Sequence, residues 1–268
     1  MIAYSKKILN NPIIKFEKVY LYKGDRYILK DISFTLNAND DCLVLGKNGS
    51  GKSSLINLIY GYNWATEGNI EVFNYKFGEI PLRILQKRIG ILEPSQQESR
   101  LQRNLTIRDI LITGILSTIG LYTDISSEES KLIDDVINSN SWIKNPHQKF
   151  DTLSSGEKKK ILLLRALVNK PELLILDEPC AFMDFPSRED FLQYLRLLKQ
   201  EYNFTLIYIT HSLEEIQPFI KKVLLLKNGE LLKIGSTENC LTDELLTNLY
   251  DYPCTLGKIN STYHLSRL

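Results

Sequence analysis

Gly46-Lys47-Asn48-Gly49-Ser50-Gly51-Lys52-Ser53 decides the reading of this chain. It is G-x-x-x-x-G-K-S, a phosphate-binding loop. Asp41-Cys42-Leu43-Val44-Leu45 precedes it and reads as a short apolar strand. Ser54-Leu55-Ile56-Asn57-Leu58-Ile59-Tyr60 follows it with helical apolar spacing. Strand, glycine loop and helix is the order that phosphate binding needs. The glycines let successive backbone N–H groups point inward, and the helix adds its unpaired N–H groups and positive dipole end. Lys52 is suited to reach the β- and γ-phosphates, and Ser53 to hold Mg²⁺ through its hydroxyl. The loop predicts a nucleoside triphosphate ligand.

Outward from the loop, strands and helices alternate, which implies an α/β sheet. Residues 13–21 and 27–36 read as two strands joined at Lys23-Gly24-Asp25. Leu173-Leu174-Ile175-Leu176 and Thr205-Leu206-Ile207-Tyr208-Ile209-Thr210 are uninterrupted apolar runs, as buried parallel strands require. Asn228-Gly229 marks a hairpin. Residues 99–167 break the alternation and read as mostly helical, with helices expected at 106–121, 127–139 and 154–169. A last helix is expected at 241–249, with no clear periodicity beyond Tyr250.

The chain has 268 residues, 43% hydrophobic and 24% charged, with a formal net charge of +1. That is ordinary for a globular protein with a sizeable core, and nothing global argues for a polyanion partner. Lys158-Lys159-Lys160 reads as a solvated helix face. Cys42, Cys180, Cys240 and Cys254 are scattered and suit reduced thiols better than disulfides or a zinc site. No secretory signal is expected at the N-terminus. No apolar run approaches the ~20 residues of a membrane helix.

Further residues carry chemistry. The strand at 173–176 delivers Asp177 and Glu178 to its C-terminal end, where α/β sheets place ligands. Asp177 is suited to Mg²⁺, and Glu178 to activating a water. Leu153-Ser154-Ser155-Gly156-Glu157 opens a basic helix. Ser154 and Glu157 have capping-box spacing, and the free helix N-terminus offers a second anion site. His211 ends another buried strand and suits a γ-phosphate contact.

In this order, the phosphate loop, Leu153–Glu157, Leu173–Pro179, Met183-Asp184 and Thr210-His211 resemble the nucleotide-binding subunit of the ATP-binding cassette (ABC) ATPases. The resemblance covers about 14–234. It implies a P-loop core with a mainly parallel sheet and flanking helices, an N-terminal antiparallel β subdomain and an inserted helical subdomain. On it, 1–268 is one ABC ATPase domain. Residues 13–98 and 168–236 form the β subdomain and core, 99–167 the helical subdomain with the signature motif, and 237–268 a C-terminal extension.

The resemblance further implies ATP and Mg²⁺ as cofactors. Gly46, Lys47, Asn48, Gly49, Ser50, Gly51, Lys52, Ser53 and Ser54 are the Walker A loop. Asp177 ends Walker B, and Glu178 is the catalytic carboxylate. Ser154, Ser155, Gly156 and Glu157 are the signature, which reaches ATP on a second, opposing subunit. Asp184 is similar to the D-loop Asp, and His211 to the switch histidine.

Three places depart from the family pattern. Ser155 stands where the signature has its first Gly, which implies reduced hydrolysis. Gln96 and Gln97 both suit the Gln-loop contact to Mg²⁺ and water, with Gln97 preferred. Lys23 occupies the usual place of the base-stacking aromatic, beside Tyr22. Residues 113–122 bear a weaker likeness to a molybdate-type subgroup.

The implied function is Mg²⁺-dependent ATP hydrolysis that energises transport through a separate membrane permease. The chain would be cytoplasmic and peripheral at the membrane, its site closed by a second subunit, most simply another copy. No nucleic acid is expected. The alternatives are a non-transport ABC ATPase in regulation, translation or repair, and a nucleotide-gated module with weak hydrolysis.

Overall fold

The computed structural model describes residues 12–101, 103–260 and 262–268, the side chains of 95 and 96 excepted. The expected absence of a signal segment falls in 1–11, outside the described residues. The chain divides into two compact units, one ending at Gln86 and resuming at Thr205–Leu268, the other Lys87–Phe204.

The first unit contains an antiparallel sheet and a mainly parallel one. β1 (Pro12–Lys23) and β2 (Arg26–Asn37) form the expected hairpin, with Tyr22 opposite Tyr27. β4 (Glu67–Val72) pairs with the other edge of β1, and β5 (Tyr75–Lys76) follows it. Phe16 and Phe34 stack at 4.8 Å on the buried face.

β3 (Cys42–Leu45) is the centre of the second sheet. It runs parallel to β8 (Thr205–Thr210) on one side and β9 (Lys222–Lys227) on the other. β10 (Glu230–Ser236) returns antiparallel to β9 through Asn228 and Gly229, both at positive φ as a tight hairpin turn demands. All four residues of β3 are buried, which is why its sequence does not alternate. Asp41 pins the entry to β3. It is 7% exposed, its Oδ1 accepts from the Leu206 N–H at 2.8 Å, and its carbonyl accepts from Lys222 N–H at 3.2 Å. The two neighbouring strands are therefore held to the start of β3 by one residue.

α1 (Lys52–Tyr60) follows β3, ending at Gly61 in a left-handed cap. α2 (Leu82–Lys87) is a short helix. The C-terminal segment departs from expectation. After α8 (Thr237–Cys240) and α9 (Asp243–Tyr250), residues read as aperiodic form a second hairpin, β11 (Cys254–Ile259) with β12 (Thr262–Arg267). Its residues are mostly exposed or half-buried, so no hydrophobic alternation marked it.

In the second unit, β6 (Ile89–Leu92) pairs parallel with β7 (Leu173–Asp177), and the Arg88 and Glu172 side chains form a bidentate pair at 2.6 and 3.0 Å beside their starts. The helices are α3 (Pro94–Arg100), α4 (Ile107–Leu116), α5 (Ser127–Ser139), α6 (Ser155–Leu167) and α7 (Phe185–Glu201). α3 was not expected. α4 stops short of 121 because Ser117 turns left-handed and donates back to the Gly114 and Thr113 carbonyl oxygens. Thr106, Ser126 and Ser154 each build a complete capping box, with Asp109, Glu129 and Glu157 respectively.

The basic run in α6 corrects its expected reading as a solvated face. Lys159 is 5% exposed and donates to the Ala181 carbonyl. Lys158 lies over the Phe150 ring at 5.8 Å, and Lys160 over Trp142 and Tyr194 at 5.9 and 5.7 Å. The run packs the helix down. All four cysteines are buried and outside disulfides, and burial pushes the Cys42 thiol up to about 12.

Gly90 in β6 faces the last turn of α6. A Cβ there would overlap the Ala166 carbonyl oxygen and stand 2.9 Å from Pro171 Cγ. Gly90→Ala is expected to destabilise the fold by about 1–3 kcal/mol, read from the midpoint of urea unfolding.

Candidate functional site

The phosphate loop begins where β3 ends. Gly46 is tightly enclosed, since a Cβ would overlap the Leu226 carbonyl and stand 2.5 Å from Ser50 Oγ. Gly51 has φ +105 and lies against Leu29 and the Ile28 carbonyl, so both conformation and space require glycine. The β9–β10 turn supports the loop, the Gly229 N–H donating to the Ser50 carbonyl at 3.0 Å. Lys52 is 6% exposed. Its ammonium donates to the Gly46 carbonyl at 2.8 Å and the Lys47 carbonyl at 3.0 Å, so it spans the loop from inside. Lys47 is half-buried, Asn48 and Gly49 are exposed, and Ser53 and Ser54 open the first turn of α1 with Ser53 exposed. The Ser50 Oγ is buried with no hydrogen-bond partner among the described residues, a hydroxyl able to donate to or accept from a polar ligand atom.

His211 belongs to the same unit. Leu45 pairs with Thr210 in the parallel register of β3 and β8. The next residues, Gly46 and His211, therefore leave the sheet at the same edge. The Thr210 hydroxyl accepts from the Ser212 N–H at 3.0 Å and fixes the turn in which the exposed His211 lies.

Tyr22 is engaged by its cross-strand neighbour. Its ring lies 4.0 Å from that of Tyr27, and the Tyr27 hydrogen bond with desolvation lifts its hydroxyl to about 12. Tyr27 is 50% exposed and adjoins Ile28, which touches the loop at Gly51. Of the pair, Tyr27 offers the open ring. Sequence reasoning missed it, although its position across a two-residue turn from Tyr22 was the available signal.

The second unit holds the carboxylates. Leu92 pairs with Leu176, so Glu93 and Asp177 leave β6 and β7 side by side. Glu93 is 5% exposed. Desolvation, then the charge of Asp177, raises its carboxyl to about 7. Glu178 follows Asp177 in a left-handed conformation, φ +48, uncommon for a residue other than glycine. Gln97 turns back on its own segment. Its Nε2 donates to the Ile91 carbonyl at 2.9 Å and its Oε1 accepts from the Glu93 N–H at 3.2 Å. The side chain of Gln96 lies outside the described residues. Glu93 went unremarked in the sequence because nothing there foretells that it is buried.

Also in this unit, the Ser154 hydroxyl accepts from the Glu157 N–H at 3.3 Å and donates to its carboxylate at 2.7 Å. That bond, from the side chain first, holds the Glu157 carboxyl below its ordinary range. Ser155 is exposed at the first position of α6, so serine there leaves the helix start intact. A Cβ on Gly156 would stand 3.5 Å from Ser187 and 3.6 Å from Met183. Asp184 caps α7, its Oδ1 accepting from the Ser187 N–H at 3.0 Å. The signature segment and Asp184 thus come together at two neighbouring helix starts. Phe182, 98% exposed at φ +62, and Phe185, 68% exposed, flank them.

A family model described as ABC transporter matches residues 29–181, more than half of the chain. The ABC transporter ATP-binding protein YlmA of Bacillus subtilis is 33% identical, over 90% of this chain and 92% of its own. The molybdate import ATP-binding protein MolC of Haemophilus influenzae is 28% identical over 87% and 86%, in keeping with the weak molybdate-type likeness. Among solved structures, a transporter described as of metal-chelate ABC type, in an inward-facing conformation, aligns with a TM-score of 0.76 at 26% identity, over 96% of this chain and 98% of that one. With the match spanning more than half of the chain and a relative of this identity aligned along nearly all of it, the chain is an ATPase and belongs to the ABC transporter family.

Proposed function

We propose that this chain hydrolyses ATP with Mg²⁺ and energises transport through a separate membrane subunit, working at the cytoplasmic face of the membrane. The observation that carries the hydrolytic part is the placement of Asp177 and Glu178 at the end of a buried strand, in a chain whose phosphate loop holds an inward-turned Lys52. The names of the relatives as transporter subunits support the transport part. No helix among the described residues is long and apolar enough to cross a membrane.

In this reading the loop N–H groups and Lys52 hold the β- and γ-phosphates, and Ser53 and Asp177 would each supply an oxygen to Mg²⁺, a hydroxyl and a carboxylate suited to a hard cation. When bound, Mg²⁺ supplies charge neutralisation on the phosphates. Glu178 orients a water and takes its proton as the water oxygen bonds to the γ-phosphorus. The bond from that phosphorus to the bridging oxygen breaks, and ADP leaves with the electron pair. His211 contacts the γ-phosphate. Gln97 would be available to the metal and water only if it released its two backbone contacts. Tyr22 and Tyr27 form the platform for the base. Ser154–Glu157 and Asp184 of a second copy close the site. Ser155 lowers turnover without abolishing it.

Glu178→Gln is expected to reduce steady-state ATP hydrolysis by about 10²–10⁴-fold while ATP binding persists and an ATP-dependent dimer accumulates on size exclusion. Wild-type turnover no higher than that variant's would overturn the enzymatic role. The transport role is tested by co-purification of the Glu178→Gln chain with an integral membrane protein from solubilised native membranes, and by stimulation of wild-type turnover by that protein.

Glu93 gives a pH dependence of stability. Its folded pKa is raised, so the folded state binds the extra proton between the ordinary carboxylate value and about 7. Stability therefore falls as pH rises through that window and levels off above it. Glu93→Gln is expected to flatten this fall and gain about 2 kcal/mol at pH 8, measured by urea unfolding at pH 5 and pH 8 without nucleotide.

A further inference from the structure

The C-terminal extension carries no family motif, yet it reaches the phosphate loop. α9 ends at Asp251, whose backbone is left-handed at φ +49 and whose N–H caps the Asn248 and Thr247 carbonyls. This cap presents the carboxylate to two ammonium groups. Lys227 Nζ approaches Oδ1 at 2.6 Å, and Lys47 Nζ approaches Oδ2 at 2.9 Å. Lys227 is itself fixed by the Asn248 carbonyl and side-chain oxygens at 2.6 and 2.9 Å. Lys47 is the second residue of the phosphate loop, and its own carbonyl is one of the two that receive Lys52. The extension makes a second contact by the switch histidine, His264 Nδ1 lying 3.4 Å from Glu214 Oε1, three residues past His211.

Stability does not explain this arrangement. The Lys47 and Asp251 side chains are 42% and 59% exposed, and exposed pairs add little to folding. Charge does. Hydrogen bonds from Lys227 and then Lys47 hold the Asp251 carboxyl down at about 2, so it is ionised throughout the neutral range. The anion is thereby fixed on a lysine of the loop itself.

Resting on the assignment of the loop to ATP, we infer that Asp251 sets nucleotide affinity. It holds the Lys47 ammonium away from bound phosphates and cancels part of the positive charge at the loop, so that nucleotide binds more weakly and leaves sooner than the loop alone would dictate. The C-terminal extension is thereby an affinity-determining part of the ATP site, acting through one carboxylate.

Asp251→Asn tests this, because asparagine tolerates the left-handed cap and differs chiefly in charge. Equilibrium titration with ATP at low ionic strength is expected to show binding tighter by about three- to tenfold, the gain falling below about twofold near 0.5 M salt. Lys47→Met in the Asp251→Asn background removes most of the gain. Glu244→Gln takes the same charge from the exposed side of α9 and leaves affinity unchanged. Unchanged or weaker binding by Asp251→Asn, or equal tightening by Glu244→Gln, overturns the inference while the ATP site stands. A wild-type chain that binds no ATP overturns both.

Discussion

The residue pairing of β3 governs the chemistry of the first unit. A strand with a parallel neighbour on each side and no exposed residue has no room for charge along its length. Polar groups gather at its two ends instead. At the start, Asp41 satisfies backbone donors of both neighbours. At the finish, the chain must turn at once under the Leu226 carbonyl, which only glycine allows. Loop and His211 share an edge because two registers end together, with no need for either side chain to seek the other. The second unit repeats the principle with β6 and β7, whose ends release Glu93 and Asp177 as neighbours.

Much of this was readable from residue order, for a physical reason. Glycine spacing, a four-residue apolar run and a Ser-x-x-Glu box are local codes, and local codes need no knowledge of the fold. What escaped depended on neighbours distant in sequence. Gln97 could be named but not aimed, since its amide is spent on the ends of its own strand segment. Lys159 looked solvated until the Ala181 carbonyl came beneath it. Tyr27 outranked Tyr22 in exposure only once the strands had paired. The C-terminal hairpin was invisible because a lightly buried ribbon imposes little pattern on its residues.

α6 starts in the same way as two other helices of its unit. All three begin with the same reciprocal cap. The cap is therefore a general solution to unpaired helix donors. What distinguishes α6 is its company: a glycine that admits Met183 and Ser187, and a second capped helix start at Asp184. Polar helix termini gathered in this way suit an anion approached from outside the chain.

The buried thiols have a practical corollary. Cys42, Cys180, Cys240 and Cys254 are all shielded, and at Cys42 burial also suppresses the thiolate that alkylating reagents require. The native molecule thus shields all four thiols from such reagents. A reporter cysteine placed on its surface could carry a spectroscopic label without first stripping out the natural ones, and any slow reaction of the remaining four would time the opening of the fold itself.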